Sequence, residues 1–310
     1  EACAAMLALL SCARCGFHVA EPDSHDSSTA VAASLGPAGS GSLRATTDGN
    51  ATNVAIIVPL HPPKFGYGLD LLQSMVSCGQ TSNFRFFFAF SNEADKQEFK
   101  AQPDKPFEPS LLVLDERRIM PNNPVSTKKW LALHEVFTTE LDIEYAIATD
   151  SDQLFQSAED FRSYFAEWSQ RKIVLGSFYG SRKFYPAMQD ASCAAVGLEA
   201  TPPHAMPYTW WSDAPVYERA DFQDFFKRIT WDAEHLDMAE VFDHTSYLCY
   251  KIHVQGWKLI DVTSMTGTCR PLEKLGSDSQ DAVTAATGYR FLWSRNKNKH
   301  RLLQFHVDRP

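Results

Sequence analysis

From residue 54 onward the apolar positions fall into two rhythms that alternate. Val54-Ala-Ile-Ile-Val58 is a near-continuous apolar run, the pattern of a strand buried on both faces, and Pro59 with His61-Pro-Pro63 ends it. Between Gly66 and Cys78 the apolar residues Leu69, Leu72, Met75 and Val76 recur at helical spacing. Arg85 to Phe90 predicts a second buried strand, and Ser91 reads as the N-cap of a helix over Asn92 to Lys100. Leu111 to Leu114 predicts a third strand. Thr127 to Glu140 predicts a helix with Trp130, Leu133, Val136 and Phe137 on one side. Tyr145 to Ala148 is the fourth strand, Glu159 to Gln170 a helix, and Ile173 to Phe178 a fifth strand. Strands alternating with helices predict an α/β fold, a mostly parallel sheet with helices on both faces.

After residue 178 the rhythm breaks. Gly180 to Tyr217 is rich in Pro, Tyr, Trp and Ala and reads as a long binding or lid loop. Helices are expected over Asp221 to Ile229 and Thr245 to Val254, and a strand over Lys258 to Val262. Residues 270 to 290 read as irregular, and Arg301 to Asp308 as a short strand carrying His306. No internal repeat is visible.

Ahead of residue 53 the pattern is different. Ala2 to Leu10 is an apolar run too short to span a bilayer, with Ser11-Cys-Ala13 after it. Residues 1–20 fit a signal peptide or a truncated signal anchor, and a disordered Ala-rich extension is the alternative. Residues 21–52 are dominated by Ser, Ala, Gly, Asp and Thr. They cannot bury enough surface to offset their ordering entropy, so they read as a flexible stem. Asn50-Ala-Thr52 is a glycosylation sequon that matters only in a secretory lumen.

Composition narrows the function classes. The chain has 310 residues, 44% of them hydrophobic, which is enough for a sizeable core. A net charge of −9 leaves no cationic surplus to displace phosphate counterions, so nucleic acid is not an expected partner. Of the seven cysteines only Cys12 and Cys15 are close together, and no second such pair follows, which argues against a zinc site. Cys193, Cys249 and Cys269 could include one disulfide in an oxidising compartment. Cys249 is expected to be a small buried hydrophobe.

The fourth strand runs into Asp150-Ser-Asp152. Period-two alternation points both carboxylates the same way. Together at the carboxyl end of a buried strand they repel unless a cation, donors or water intervene. A hard divalent cation, Mn²⁺ or Mg²⁺, is the simplest occupant, because it takes oxygen ligands and is often shared with substrate phosphates. The alternative is an Asp-Ser-Asp turn capping the following helix.

Three features together resemble the GT-A glycosyltransferases. They are the opening strand Val54–Leu60, the segment Lys128-Lys-Trp-Leu-Ala-Leu133 followed by Tyr145-Ala-Ile-Ala-Thr-Asp-Ser-Asp152, and a histidine near the C-terminus, His306. The resemblance covers roughly residues 53 to 308 and identifies residues 53–310 as a GT-A domain with a Rossmann-like sheet. It implies transfer of a sugar from a nucleotide-diphosphate sugar to a hydroxyl of a glycan, glycoprotein or glycolipid. With the N-terminal run and the sequon, the expected setting is the secretory pathway, the Golgi or ER lumen with a cleaved signal or a membrane tether at the N-terminus, and secretion is the alternative. On the residues, the resemblance implies that Asp152 binds Mn²⁺ or Mg²⁺, that Asp150 contacts the ribose or the metal, and that His306 completes the metal shell. Lys128, with Lys129, would reach the diphosphate, and Pro59 and His61 would line the nucleotide-sugar site.

The aromatic loop is the expected acceptor site, with Trp210, Trp211 and Tyr208 stacking on a sugar ring or packing in the core. An inverting enzyme needs a carboxylate base, and Asp213, Glu240 and Asp243 are the candidates; a retaining enzyme needs none. Asp243 and Glu240 also fit as helix-end acids. Pro59-Leu-His-Pro-Pro63 stands where a pyrophosphorylase carries a Gly-rich loop. No GxxxxGK[ST] occurs, and Gly66-Tyr-Gly68 lacks the third glycine of a dinucleotide fingerprint. A carbohydrate-binding module without turnover is the reading from another class.

Overall fold

The structure, a computed structural model, describes residues 53–155, 162–177, 184–198, 216–266, 277–289 and 302–304. In chain order its elements begin β1 (Val54–Pro59), α1 (Phe65–Ser77), β2 (Arg85–Phe90), α2 (Glu93–Lys100) and β3 (Ser110–Val113). They continue with α3 (Pro124–Thr139), β4 (Tyr145–Ala148), β5 (Gln153–Phe155), α4 (Arg162–Arg171), β6 (Ile173–Gly176) and α5 (Phe184–Ala194). Then come β7 (Val216–Glu218), α6 (Arg219–Arg228), α7 (Ala233–Leu236), α8 (Asp243–His253), β8 (Lys258–Asp261), α9 (Thr263–Thr266), α10 (Ser277–Thr287) and β9 (Leu302–Gln304).

The central sheet has the order β3-β2-β1-β4-β7. Its first four strands are parallel, with Ile57 beside Phe87 on one side and Ala148 on the other, and β7 closes the edge antiparallel to β4. Helices flank the sheet, and the whole is a mixed α/β, Rossmann-like arrangement consistent with GT-A architecture. The chain steps outward from β1 through β2 to β3, then returns to the other side of β1 as β4. The strand order therefore reverses between β1 and β4, and in open α/β sheets the ligand crevice lies outside the carboxyl ends at that point.

Burial explains why the apolar runs became strands. Val54 to Val58 and Phe86 to Phe90 are all buried. Phe88 meets Phe86 and Phe99 edge-on at 4.9 Å each, contacts worth about 0.5–1.5 kcal/mol beyond area burial. Helix α3 is enclosed on more than one side: Trp130, Leu131, Ala132, Leu133, Val136 and Phe137 are buried together. Its C-terminal end is capped by Arg219, whose guanidinium donates to the carbonyls of Phe137, Glu140 and Ile143.

Several expectations need correction. Ile173–Gly176 is a strand, but it pairs with Lys258–Asp261 in a separate parallel pair and not with the central sheet. The cap of α2 is Asn92, whose side chain accepts from the Asp95 N–H at 2.8 Å, so Ser91 lies outside it. The stretch Gly180–Tyr217 contains α5 and the start of β7, and the stretch 270–290 contains α10. Cys249 is not an inert hydrophobe: it forms a disulfide with Cys193, which joins α5 to α8. Residues 1–52, with the apolar run, stem and sequon, lie outside the described residues. Among the described residues, no helix is long and apolar enough to cross a membrane.

Candidate active site

At the reversal point the carboxyl ends of β1 and β4 lie side by side. Thr149 N donates to Ile57 O at 2.9 Å, so the backbone hydrogen bonding runs one residue past the end of β4. Asp150 follows at the mouth, its side chain 30% exposed. Ser151 is buried, and its Oγ has no hydrogen-bond partner among the described residues. Asp152 follows Ser151 in the turn and leads into β5, which pairs antiparallel with β9 so that Gln153 lies opposite Gln304. The turn therefore opens a strand and does not cap a helix.

Lys129 comes to this turn from α3. Its Nζ lies 3.1 Å from Asp150 Oδ1 and 3.4 Å from Asp243 Oδ1, with its side chain 9% exposed. Asp243 is the first residue of α8 and only 5% exposed, and its other oxygen accepts from Tyr217 OH at 2.7 Å. Tyr217 stands on β7, beside Ala146 of β4. The segment before α8 is fixed at its other contacts as well. Val241 O accepts from Asn123 Nδ2 at 2.9 Å and Ser126 Oγ at 3.0 Å, and Phe242 N donates to Ser192 Oγ at 3.0 Å.

The electrostatics follow from burial and sharing. Burial pulls the Lys129 ammonium down, but the carboxylates of Asp150 and Asp243 outweigh it, and its pKa is raised. Burial raises the Asp243 carboxyl against the opposing pull of Lys129 and the Tyr217 hydroxyl. The Tyr217 phenol is pushed well above its ordinary value, first by burial and then by Asp243, so it stays a donor. His244, next in α8, is held down to about 3 by burial and by Lys129, and its buried Nε2 has no hydrogen-bond partner among the described residues. It is therefore neutral at physiological pH.

The other predicted residues divide into three groups. Pro59, His61 and Lys128 gather at the exit of β1. Pro59 is its last residue, and His61 is half-buried with its pKa lowered by burial and then by Lys128 and Lys64. Burial also lowers Lys128, with Asp95 and Glu116 pulling the other way. Glu240 lies in the turn before α8, half-buried, three residues from Asp243. Asp213, Tyr208, Trp210, Trp211 and His306 lie outside the described residues.

Sequence reasoning missed the bridging role of Lys129 and did not anticipate Tyr217 or His244. A signal existed for Lys129: it shares one helical stripe with Ser126, Leu133 and Val136, so it had to point inward. For Tyr217, in a three-residue strand, no periodic signal was available.

Among the described residues no group of three or more His, Cys, Asp or Glu side chains is arranged to hold a metal ion. The donor types at the turn are nonetheless those a hard cation takes. The turn offers two carboxylates and a buried, unpartnered serine hydroxyl, and ions of this kind are commonly held by one or two carboxylates together with substrate phosphates and water.

No family model matches the chain, and no curated protein matches it by sequence. Its fold is similar to the Mn/GDP form of core-mannan synthase A from Aspergillus fumigatus, at 10% identity and a TM-score of 0.42, over 70% of this chain and 74% of that one. It is similar to galactosyltransferase LgtC in complex with donor and acceptor sugar analogs, at 12% identity and a TM-score of 0.46, over 82% and 87% of the two chains. It is also similar to S. aureus TarS 1-349 in complex with UDP, at 15% identity and a TM-score of 0.34, over 64% of this chain and 54% of that one.

Proposed function

We propose that this chain is a glycosyltransferase that moves a sugar from a nucleotide-diphosphate sugar to an acceptor hydroxyl with the help of Mn²⁺ or Mg²⁺. The observation that carries the proposal is the position of Asp150-Ser-Asp152: at the carboxyl end of β4, beside β1, where the strand order reverses. In this reading Asp150 and Asp152 hold the ion. His306 joins them, and the pairing of β9 with β5 supports this, because Gln304 stands opposite Gln153, one residue from Asp152. The bound ion would supply Lewis-acid charge against the diphosphate leaving group.

The protein's own residues do the rest. Lys128 and His61, at the exit of β1, face the diphosphate, and Pro59 shapes the floor beside them. Trp210, Trp211 and Tyr208 receive the acceptor sugar. Asp213 or Glu240 serves as base if the configuration inverts. Asp243 is less suited to that task, since both its oxygens are engaged and it is buried. The Cys193–Cys249 disulfide, the sequon at Asn50 and the apolar N-terminal run together support a secretory lumen.

The test is Asp152→Ala. It should abolish Mn²⁺-dependent turnover of nucleotide sugars while leaving the far-UV circular dichroism unchanged. Full turnover in that variant would remove Asp152 from the metal site.

A further inference from the structure

Lys129 is shared between two carboxylates that differ in setting. Asp150, 3.1 Å away, is at the mouth and 30% exposed, whereas Asp243, 3.4 Å away, is 5% exposed. A structural ion pair needs only one of them. Burying a second carboxylate costs free energy unless its oxygens are paired, and Asp243 has both engaged, one by Tyr217 OH and one by Lys129. Asp243 is also held in place independently of Lys129, by Tyr217 OH at 2.7 Å and by its position at the start of α8, whose preceding residue donates to Ser192.

We infer that Lys129 is a positioning residue that exchanges between these two carboxylates: it neutralises Asp150 while no cation is bound, and turns wholly to Asp243 when Asp150 is given over to a divalent cation. This rests on the metal assignment proposed above. The two distances differ by a few tenths of an ångström, so the ammonium changes partner without leaving its buried place. Asp243 is then the reserve counter-ion. Without it, cation binding at Asp150 would strand a buried ammonium beside a dication.

The experiment measures binding of Mn²⁺ alone to the full chain, by the electron paramagnetic resonance signal of the free ion. It compares wild type, Asp243→Asn and the double variant Lys129→Met/Asp243→Asn. Asp243→Asn should bind Mn²⁺ about tenfold more weakly, because Lys129 then has only Asp150 to pair with. The double variant should recover wild-type affinity or better, since the competing ammonium is gone. Unchanged binding in Asp243→Asn overturns the exchange, and so does a double variant as weak as the single one, which would mean that Asp243 acts through structure. If Asp243→Asn does not fold, Lys129→Met answers the same question. It should bind Mn²⁺ at least as tightly as wild type, and weaker binding overturns the exchange. A wild-type protein that binds no Mn²⁺ overturns the metal assignment itself, an outcome distinct from the other two.

Discussion

Lys129 Nζ lies 3.1 Å from Asp150 Oδ1, and that contact joins the buried side of helix α3 to the exit of strand β4. The same ammonium reaches Asp243 at the start of α8. Two carboxylates far apart in sequence thus meet at one cation, at the place where the strand order of the sheet reverses. The acidic turn is part of a buried charge network and not an isolated loop, and this sets what substitutions around it should do.

The neutral, half-buried His244, whose Nε2 is buried, makes stability pH-dependent. Its folded imidazole titrates near 3, whereas an unfolded one titrates near 6.5. Between those values the unfolded chain holds the extra proton, so acidification favours unfolding. The contribution is complete above pH 6.5 and is lost as pH falls toward about 3, with a slope of at most about 1.4 kcal/mol per unit. Urea unfolding of His244→Gln between pH 6.5 and 4 should show a shallower loss of stability than wild type. Equal slopes would show that His244 is protonated in the folded state.

The disulfide between Cys193 and Cys249 closes a sequence separation of 56 residues. Removing it as Cys193→Ala/Cys249→Ala should cost about 2–4 kcal/mol. Reductant should lower the unfolding midpoint of the wild type by more than that of the variant. A wild-type midpoint insensitive to reductant would show that the bond does not form.

Gly68 lies in α1 where it crosses the exit of β1. A Cβ there would stand 3.0 Å from Leu60 Cδ2 and 3.1 Å from Phe88 Cζ. Gly68→Ala gains helix propensity but must shift both side chains by a few tenths of an ångström within a packed core, at about 1–3 kcal/mol. Chemical denaturation should show net destabilisation. A stabilised variant would mean that Leu60 and Phe88 yield easily.

Much of the central sheet was legible because it is buried on both faces. Runs such as Val54–Val58 and Phe86–Phe90 have no other reading once helical spacing sets in on either side. The acidic turn was legible because Asp150 and Asp152 interrupt such a run. The partition of strands between sheets was not, since Ile173–Gly176 has the same apolar pattern whether it pairs with the central sheet or, as it does, with β8. The helix Ser277–Thr287 was missed because its apolar residues are few and small, with Val283 its buried anchor. The contact of Lys129 with Asp243 and the bond of Cys249 to Cys193 each span more than 50 residues of sequence, which no local pattern carries.

The most direct test is the thermal unfolding of the full chain with a panel of nucleoside diphosphates and Mn²⁺, repeated with chelator. A ligand bound only by the folded state at 100 times its dissociation constant adds about 2.7 kcal/mol of stability. The expected result is a rise in midpoint with one nucleotide that needs Mn²⁺, vanishes with chelator, and is absent in Asp150→Ala/Asp152→Ala. No rise with any nucleotide, or a rise that survives chelator, would contradict a metal-held nucleotide at the acidic turn.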